Sequence, residues 1–375
     1  MRVGVVGFVA LTVGVIACSG SKASDIGGPT GSDSNANEPG KGTGSSGGSG
    51  TGSSGGSSGG SSGSSGKPTC TFDPMKIDIA GNSIDDDCNG KVDDEVECDA
   101  SLTMTSTDAY DAVRALGLCK KVTGTPSWGV VEARWVQPDG TPLPEHTGHG
   151  ILPSFGVNTP AAGGRMLAIS SGAARAPDQS GFLAVVSNDK GRSHGAPVGY
   201  PKASSLCGQA GISSPHDGVA LDVRIKVPSN ASSMSFVHQF FTADYADYVC
   251  SDLNDEFVVM MDPKPAGRTD LNIVTDAAGD PISVASPFLR ACAAGTHENI
   301  TFACPLGAGP LAGTGFEAHG STGWLKTTVA VVPSSEIVLR FSIWDSGDGN
   351  YDSSALIDSL SFSAATVTGA TTVPR

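Results

Sequence analysis

Residues 337–343 read Ile337-Val338-Leu339-Arg340-Phe341-Ser342-Ile343. Ile337, Leu339, Phe341 and Ile343 fall on every second position, with Val338, Arg340 and Ser342 between them. Successive side chains of a β-strand point to opposite faces, so this period sends the four large apolar groups into a core. Working outward, further strands are predicted over 129–136, 166–170, 220–227, 233–242, 256–261, 324–332 and 355–363, punctuated by Gly, Pro, Asn and Asp. The stretch 125–365 is long enough for one sizeable domain, and many short strands without intervening helices predict an all-β fold. A β-sandwich, jelly-roll-like, is the expected architecture. Residues 366–375 are expected to trail from it as a tail. Ahead of it, Ala109, Ala112, Val113 and Leu116 recur at helical spacing between Ser106 and Gly117. One short helix is predicted there, capped by Ser106 or Thr107 and stopped by Gly117.

The chain carries 23 Lys+Arg against 38 Asp+Glu, a formal charge of −15. With no basic patch, it is not expected to bind nucleic acid. Its carboxylates suit hard cations instead, and calcium, abundant outside cells, is the expected cofactor.

At the start of the chain Arg2 supplies a minimal positive charge and Val3 to Ala17 form an apolar and glycine-rich run. The run is shorter than the roughly 20 residues a bilayer span requires, so residues 1–17 are expected to be a signal peptide. Val15-Ile16-Ala17-Cys18 resembles the bacterial lipobox, which implies acylation of Cys18, a membrane partner through the lipid anchor, and, with Ser19 following, passage to the outer membrane. Residues 18–67 then form a tether. From 41 to 66 it contains only Gly, Ser, Lys41 and two threonines, a composition that cannot seed a core. About 48 such residues reach on the order of 40 Å.

Of nine cysteines, setting Cys18 aside leaves eight: Cys70, Cys88, Cys98, Cys119, Cys207, Cys250, Cys292 and Cys304. An even number in an exported chain fits disulfides. On the order of a hundred connectivities are open to them, and local pairing is preferred: 70 with 88, 98 with 119, 207 with 250, 292 with 304.

Residues 68–124 make a small disulfide-rich acidic module around Asn82-Ser83-Ile84-Asp85-Asp86-Asp87-Cys88-Asn89-Gly90-Lys91-Val92-Asp93-Asp94-Glu95. Asp85, Asp87 and Asn89 at alternate positions, followed by Gly90 for a sharp turn, resemble the first half of a calcium loop. Val96 stands where an EF-hand would place its bidentate Glu. The segment is more similar to a short cysteine-containing metal-binding motif of bacterial surface proteins, D-G-x-D-N-D-C-D-G-x-x-D-E. That resemblance makes Asp85, Asp87, Asn89 and Asp93 candidate ligands. An acidic turn stapled by cysteines, without metal, is the competing reading.

Asp252-Leu253-Asn254-Asp255-Glu256-Phe257-Val258-Val259, Trp344-Asp345-Ser346-Gly347-Asp348-Gly349-Asn350-Tyr351-Asp352-Ser353 and Ala355-Leu356-Ile357-Asp358 resemble the choice-of-anchor L family, over roughly 150–363. The resemblance implies surface display or binding, with no activity attached. Asp345, Asp348, Asn350 and Asp352 follow a strand in a Gly-interrupted loop, where their oxygens can converge on calcium. Asp252, Asn254 and Asp255 precede another strand and are candidates for the same role. Asx-rich turns bonding local backbone amides would read the same way.

Enzyme chemistry finds little footing. His146 and His149 are the nearest histidine pair, but they sit in a Pro/Gly-rich loop without a third zinc ligand. Asp244 and Asp247, beside Tyr245 and Tyr248, look like an acidic loop before Cys250 rather than a catalytic carboxylate pair. The expectation is a non-enzymatic, lipid-anchored protein of the outer membrane or cell surface. Its calcium-stabilised sandwich would serve adhesion or ligand binding, with a surface glycan or a protein as partner. The alternatives are a carbohydrate-active hydrolase and a structural envelope lipoprotein.

Overall fold

The computed structural model describes residues 70–94, 97–124, 126–208 and 213–375; the expected signal peptide, Cys18 and the whole of the expected tether lie outside the described residues. In chain order the elements are helix α1 (Ala109–Ala115) and strands β1 (Gly129–Val136), β2 (His149–Leu152), β3 (Met166–Ser170), β4 (Pro215–Lys226), β5 (Ser233–Thr242), β6 (Glu256–Asp262) and β7 (Ile282–Ser283). They continue with β8 (Gly295–His297), β9 (Ile300–Phe302), β10 (Gly320–Ser321), β11 (Leu325–Ala330), β12 (Glu336–Ser346), β13 (Ser353–Ser363) and β14 (Ala370–Pro374).

Two antiparallel sheets form a sandwich. One runs β1-β4-β12-β6-β7; the other runs β14-β11-β5-β13-β3-β2, with β10 paired to the end of β5. The inward residues of β12 meet those of the opposite sheet in a single core: Phe341 lies edge-on to Phe236 at 5.4 Å between ring centroids. Full burial of such a side chain stabilises by about 1.5–3 kcal/mol. The alternation in β12 holds only to Phe341. Beyond it every residue is buried, because Trp344 on the outer face packs with Val258 and Met260 under Tyr200 and Leu271. Earlier on that outer face, Arg340 and Asp222 stand in register on β12 and β4 and form a two-pronged ion pair at 2.6 and 3.0 Å.

Two expectations are corrected, and one strand is added. The helix is capped by Asp108, whose carboxylate accepts the N–H of Tyr110, while Ser106 Oγ donates to Asp111 instead. A carboxylate next to the first turn also meets the positive end of the helix dipole. Residues 370–374, expected in a tail, pair with β11 as the edge strand β14. Strand β2 escapes sequence reading because His149-Gly150-Ile151-Leu152 holds only two large apolar residues, too few to set a period.

Helix α1 buries Ala109, Ala112, Val113 and Leu116 in the main core. The acidic module is pinned alongside through Asn230, whose side-chain amide exchanges hydrogen bonds with the backbone of Ile77 at 3.1 and 2.8 Å. The disulfides join Cys70–Cys88, Cys98–Cys119, Cys207–Cys250 and Cys292–Cys304. Among the described residues, no helix is long and apolar enough to cross a membrane.

Candidate metal centres

The acidic module folds as successive turns in which carboxylates accept backbone N–H groups. Asp85 takes the amides of Asn89 and Gly90, and Asp87 takes that of Asn89. Asp78, not singled out in the sequence, accepts the amides of Asp86, Asp87 and Asp94 and so lies at the centre of the curl. Among the described residues, Asp78, Asp85 and Asp87 form the one group of three His, Cys, Asp or Glu side chains whose ligand atoms all lie within 4.8 Å of one another. Burial works against the Asp78 carboxylate, but the three amides outweigh it and hold its pKa below the usual range. Asp87 is pushed up by burial, with the charges of Asp78 and Asp94 adding to it. Three close carboxylates of this kind repel until a cation sits between them. Asp93 is turned elsewhere: its carboxylate accepts the N–H groups of Gly81, Asn82 and Ser83. Asn89 is exposed and braces the turn, donating to Asp87 and Asp94 and accepting from the Lys91 amide.

The second acidic region sits at one end of the sandwich, where the chain crosses twice between sheets. Residues 243–255 carry it from β5 to β6, and 347–352 carry it from β12 to β13. The crossings touch: Ser346 Oγ donates to Asn254 O at 2.8 Å, and the Ala243 N–H donates to Asp352 O at 3.1 Å. Their side chains divide. Asp255, Asp345 and Asp352 turn into the sandwich and are buried, together with Asp244. Asp252 and Asn254 face the other way, onto a cavity of about 10 Å³ shared with Glu256 and Ser346. Asn350 is exposed, and Asp348 accepts its backbone N–H. Asp244 was legible in the sequence only as part of an acidic loop; nothing there shows that it joins Asp255, whose N–H it accepts.

The histidine pair is likewise brought together: His146 Nδ1 and His149 Nε2 are 2.8 Å apart, and His149 stacks on Trp135 at 3.8 Å. Burial, reinforced by the charges of His146 and Arg175, lowers His149 to about 3. A neutral imidazole wedged against an indole, with Lys190 and Arg192 paired to Glu145 nearby, is built for packing.

Four disulfides, two in the N-terminal module and two in the sandwich, mark an extracellular or surface protein. Residues 169–363 match the Choice-of-anchor L domain, and the chain belongs to that family. The match spans the core strands from β3 to β13, both sheet crossings included. No curated protein matches the sequence. Among solved structures it is similar to TmCBM61, determined in complex with beta-1,4-galactotriose. The identity is 6% over 62% of this chain and 88% of that one, with a TM-score of 0.26.

Proposed function

We propose that this chain is a non-enzymatic, lipid-anchored cell-surface protein whose acidic turn module binds calcium and whose sandwich is displayed for adhesion or ligand binding. The observation that carries the calcium reading is the convergence of Asp78, Asp85 and Asp87 on one point. An irregular, half-exposed cage of carboxylate oxygens suits calcium, which accepts six to eight loosely arranged ligands, better than magnesium, which demands a near-ideal octahedron. The apolar run 3–17 ending in Cys18 supports the anchor.

Thermal unfolding of the full chain in chelator, magnesium and calcium tests the metal. A ligand at a hundred times its Kd stabilises by about 2.7 kcal/mol. A calcium-specific rise in melting temperature, reduced by the double substitution Asp85→Ala/Asp87→Ala, is expected; a melting temperature in calcium no higher than in chelator, or raised equally by magnesium, would remove calcium from the reading. Metabolic labelling with a fatty acid tests the anchor: label is expected on the full chain and absent from Cys18→Ala. For the surface role, a strain lacking the protein should lose partner binding with its envelope intact. Envelope leakage with binding retained would mark a structural component instead.

A further inference from the structure

We propose a second cation site, inside the sandwich, in which Asp255, Asp345 and Asp352 hold one calcium-class divalent ion with Asp244 beside them. It extends the calcium reading to a different set of residues and stands on burial and open lone pairs: only Asp78, Asp85 and Asp87, among the described residues, already bring three ligand atoms within 4.8 Å of one another, so the interior carboxylates must close on their ion. These four side chains are 2%, 1%, 2% and 1% exposed. Anionic carboxylates are rarely buried in such number without a compensating cation, because desolvation and mutual repulsion both oppose it. Lys190 is a cation whose charge reaches Asp352, and its ammonium is already held by Glu145 at 3.3 Å and the Gly172 carbonyl at 2.7 Å.

The hydrogen bonds are arranged as if around a ligand. Asp255 is fixed through both oxygens, accepting the Ser346 N–H at 3.0 Å and the Ser353 hydroxyl at 2.7 Å. Asp352 Oδ2 accepts from Asn188 at 3.2 Å. Against these, Asp345 lies beside the Ser171 hydroxyl and Asp255, but none of its contacts has good hydrogen-bond geometry, and neither of its oxygens nor Oδ1 of Asp352 is properly paired, although all three are buried. Outer partners that orient the carboxylates while inner lone pairs stay open are the pattern of a metal site with its supporting shell. Gly172 leaves the room this needs: a Cβ there would stand 1.9 Å from Asp352 Oδ2.

Protons are the rival occupant. Burial raises Asp255 to about 7 and Asp352 to about 8, so the same pocket can be filled by carboxylic acids at neutral pH. The two occupants give opposite results. Equilibrium dialysis of the full chain at pH 8 should find two calcium ions bound. Asp345→Asn should remove one, and Asp85→Ala/Asp87→Ala the other, so this proposal and the module's calcium site can fail separately. Terbium provides a second readout, because an ion at Asp345 lies next in sequence to the buried Trp344, and its luminescence should be excited through tryptophan. Because Trp128 also lies near the acidic module, that signal should survive Asp85→Ala/Asp87→Ala and disappear when Asp345→Asn is added to that double variant. Should Asp345→Asn fail to fold, Asp352→Asn takes its place, with at least a roughly tenfold loss of affinity expected as ligand charge falls. An unchanged ion count and unchanged terbium signal in a folded Asp345→Asn or Asp352→Asn chain would overturn the site and leave the interior acids protonated.

Discussion

His238 lies between the sheets with no exposed surface; its Nε2 is 2.9 Å from Thr327 Oγ1, and its Nδ1 has no hydrogen-bond partner. Burial alone lowers its pKa to about 3. The folded state therefore resists a proton that the unfolded chain accepts near 6.5. The stability this supplies is fully present above that pH and is lost as pH falls from about 6.5 toward 3. At pH 5 the loss amounts to about 2 kcal/mol. His238→Gln, which keeps a donor for Thr327, should remove that slope; urea midpoints of both chains at pH 7 and pH 5 check it. Arg340 offers a second test. Its removal leaves Asp222, 4% exposed, with only Arg134 at 3.3 Å. Arg340→Ala should cost about 2–4 kcal/mol in denaturant unfolding, and Arg340→Lys less, since it keeps the charge and loses the fork. The sequence presented Arg340 as one outward residue in an alternating strand. Its register with Asp222 depends on which strand lies alongside, and that is set by topology rather than by spacing.

At the scale of elements, the strands that could be read are those rich in apolar residues, whether alternating like β12 or buried throughout like β3. β12 was legible from Ile337 to Ile343 and ran on illegibly to Ser346, because the cover over Trp344 comes from distant loops. β14 was missed because Ala370-Thr371-Thr372-Val373 carries too little apolar surface to announce a strand, and only the open edge of β11 makes it one. The crossing 243–255 has its own staple, Cys207–Cys250, closing a separation of 43 residues. In the chain-entropy account a loop of that size contributes about 4 kcal/mol, so Cys207→Ser/Cys250→Ser should lower the urea midpoint accordingly. Gly172→Ala tests the neighbouring approach. With its Cβ aimed at Asp352, it should displace that carboxylate and weaken the calcium response measured by dialysis, while leaving the Asp78, Asp85 and Asp87 group untouched.

For the whole molecule, what the sequence withheld was meeting. It marked Asp255, Asp345 and Asp352 as candidate ligands, but their burial at one end of the sandwich follows from two sheet crossings there, a property of strand order. Asp78 entered its group for a similar reason, through three backbone amides that no pattern of side chains foretells. If one ion joins the crossings, chelation should raise hydrogen exchange in 243–255 and 347–352 together while the β4–β12 pairing stays protected. Exchange rising in only one crossing would count against a shared ion.

The two N-terminal disulfides also decide where tension would run. A pull entering at Cys70 passes through the sulfur bridge to Cys88, so Asp78, Asp85 and Asp87 lie on a slack backbone loop. From Cys98 the force passes straight to Cys119, leaving helix α1 unloaded as well. A chain pulled from its N-terminal side would feel the strain in residues 89–97 and in the strand pairing beyond Cys119, with the turns between Cys70 and Cys88 spared.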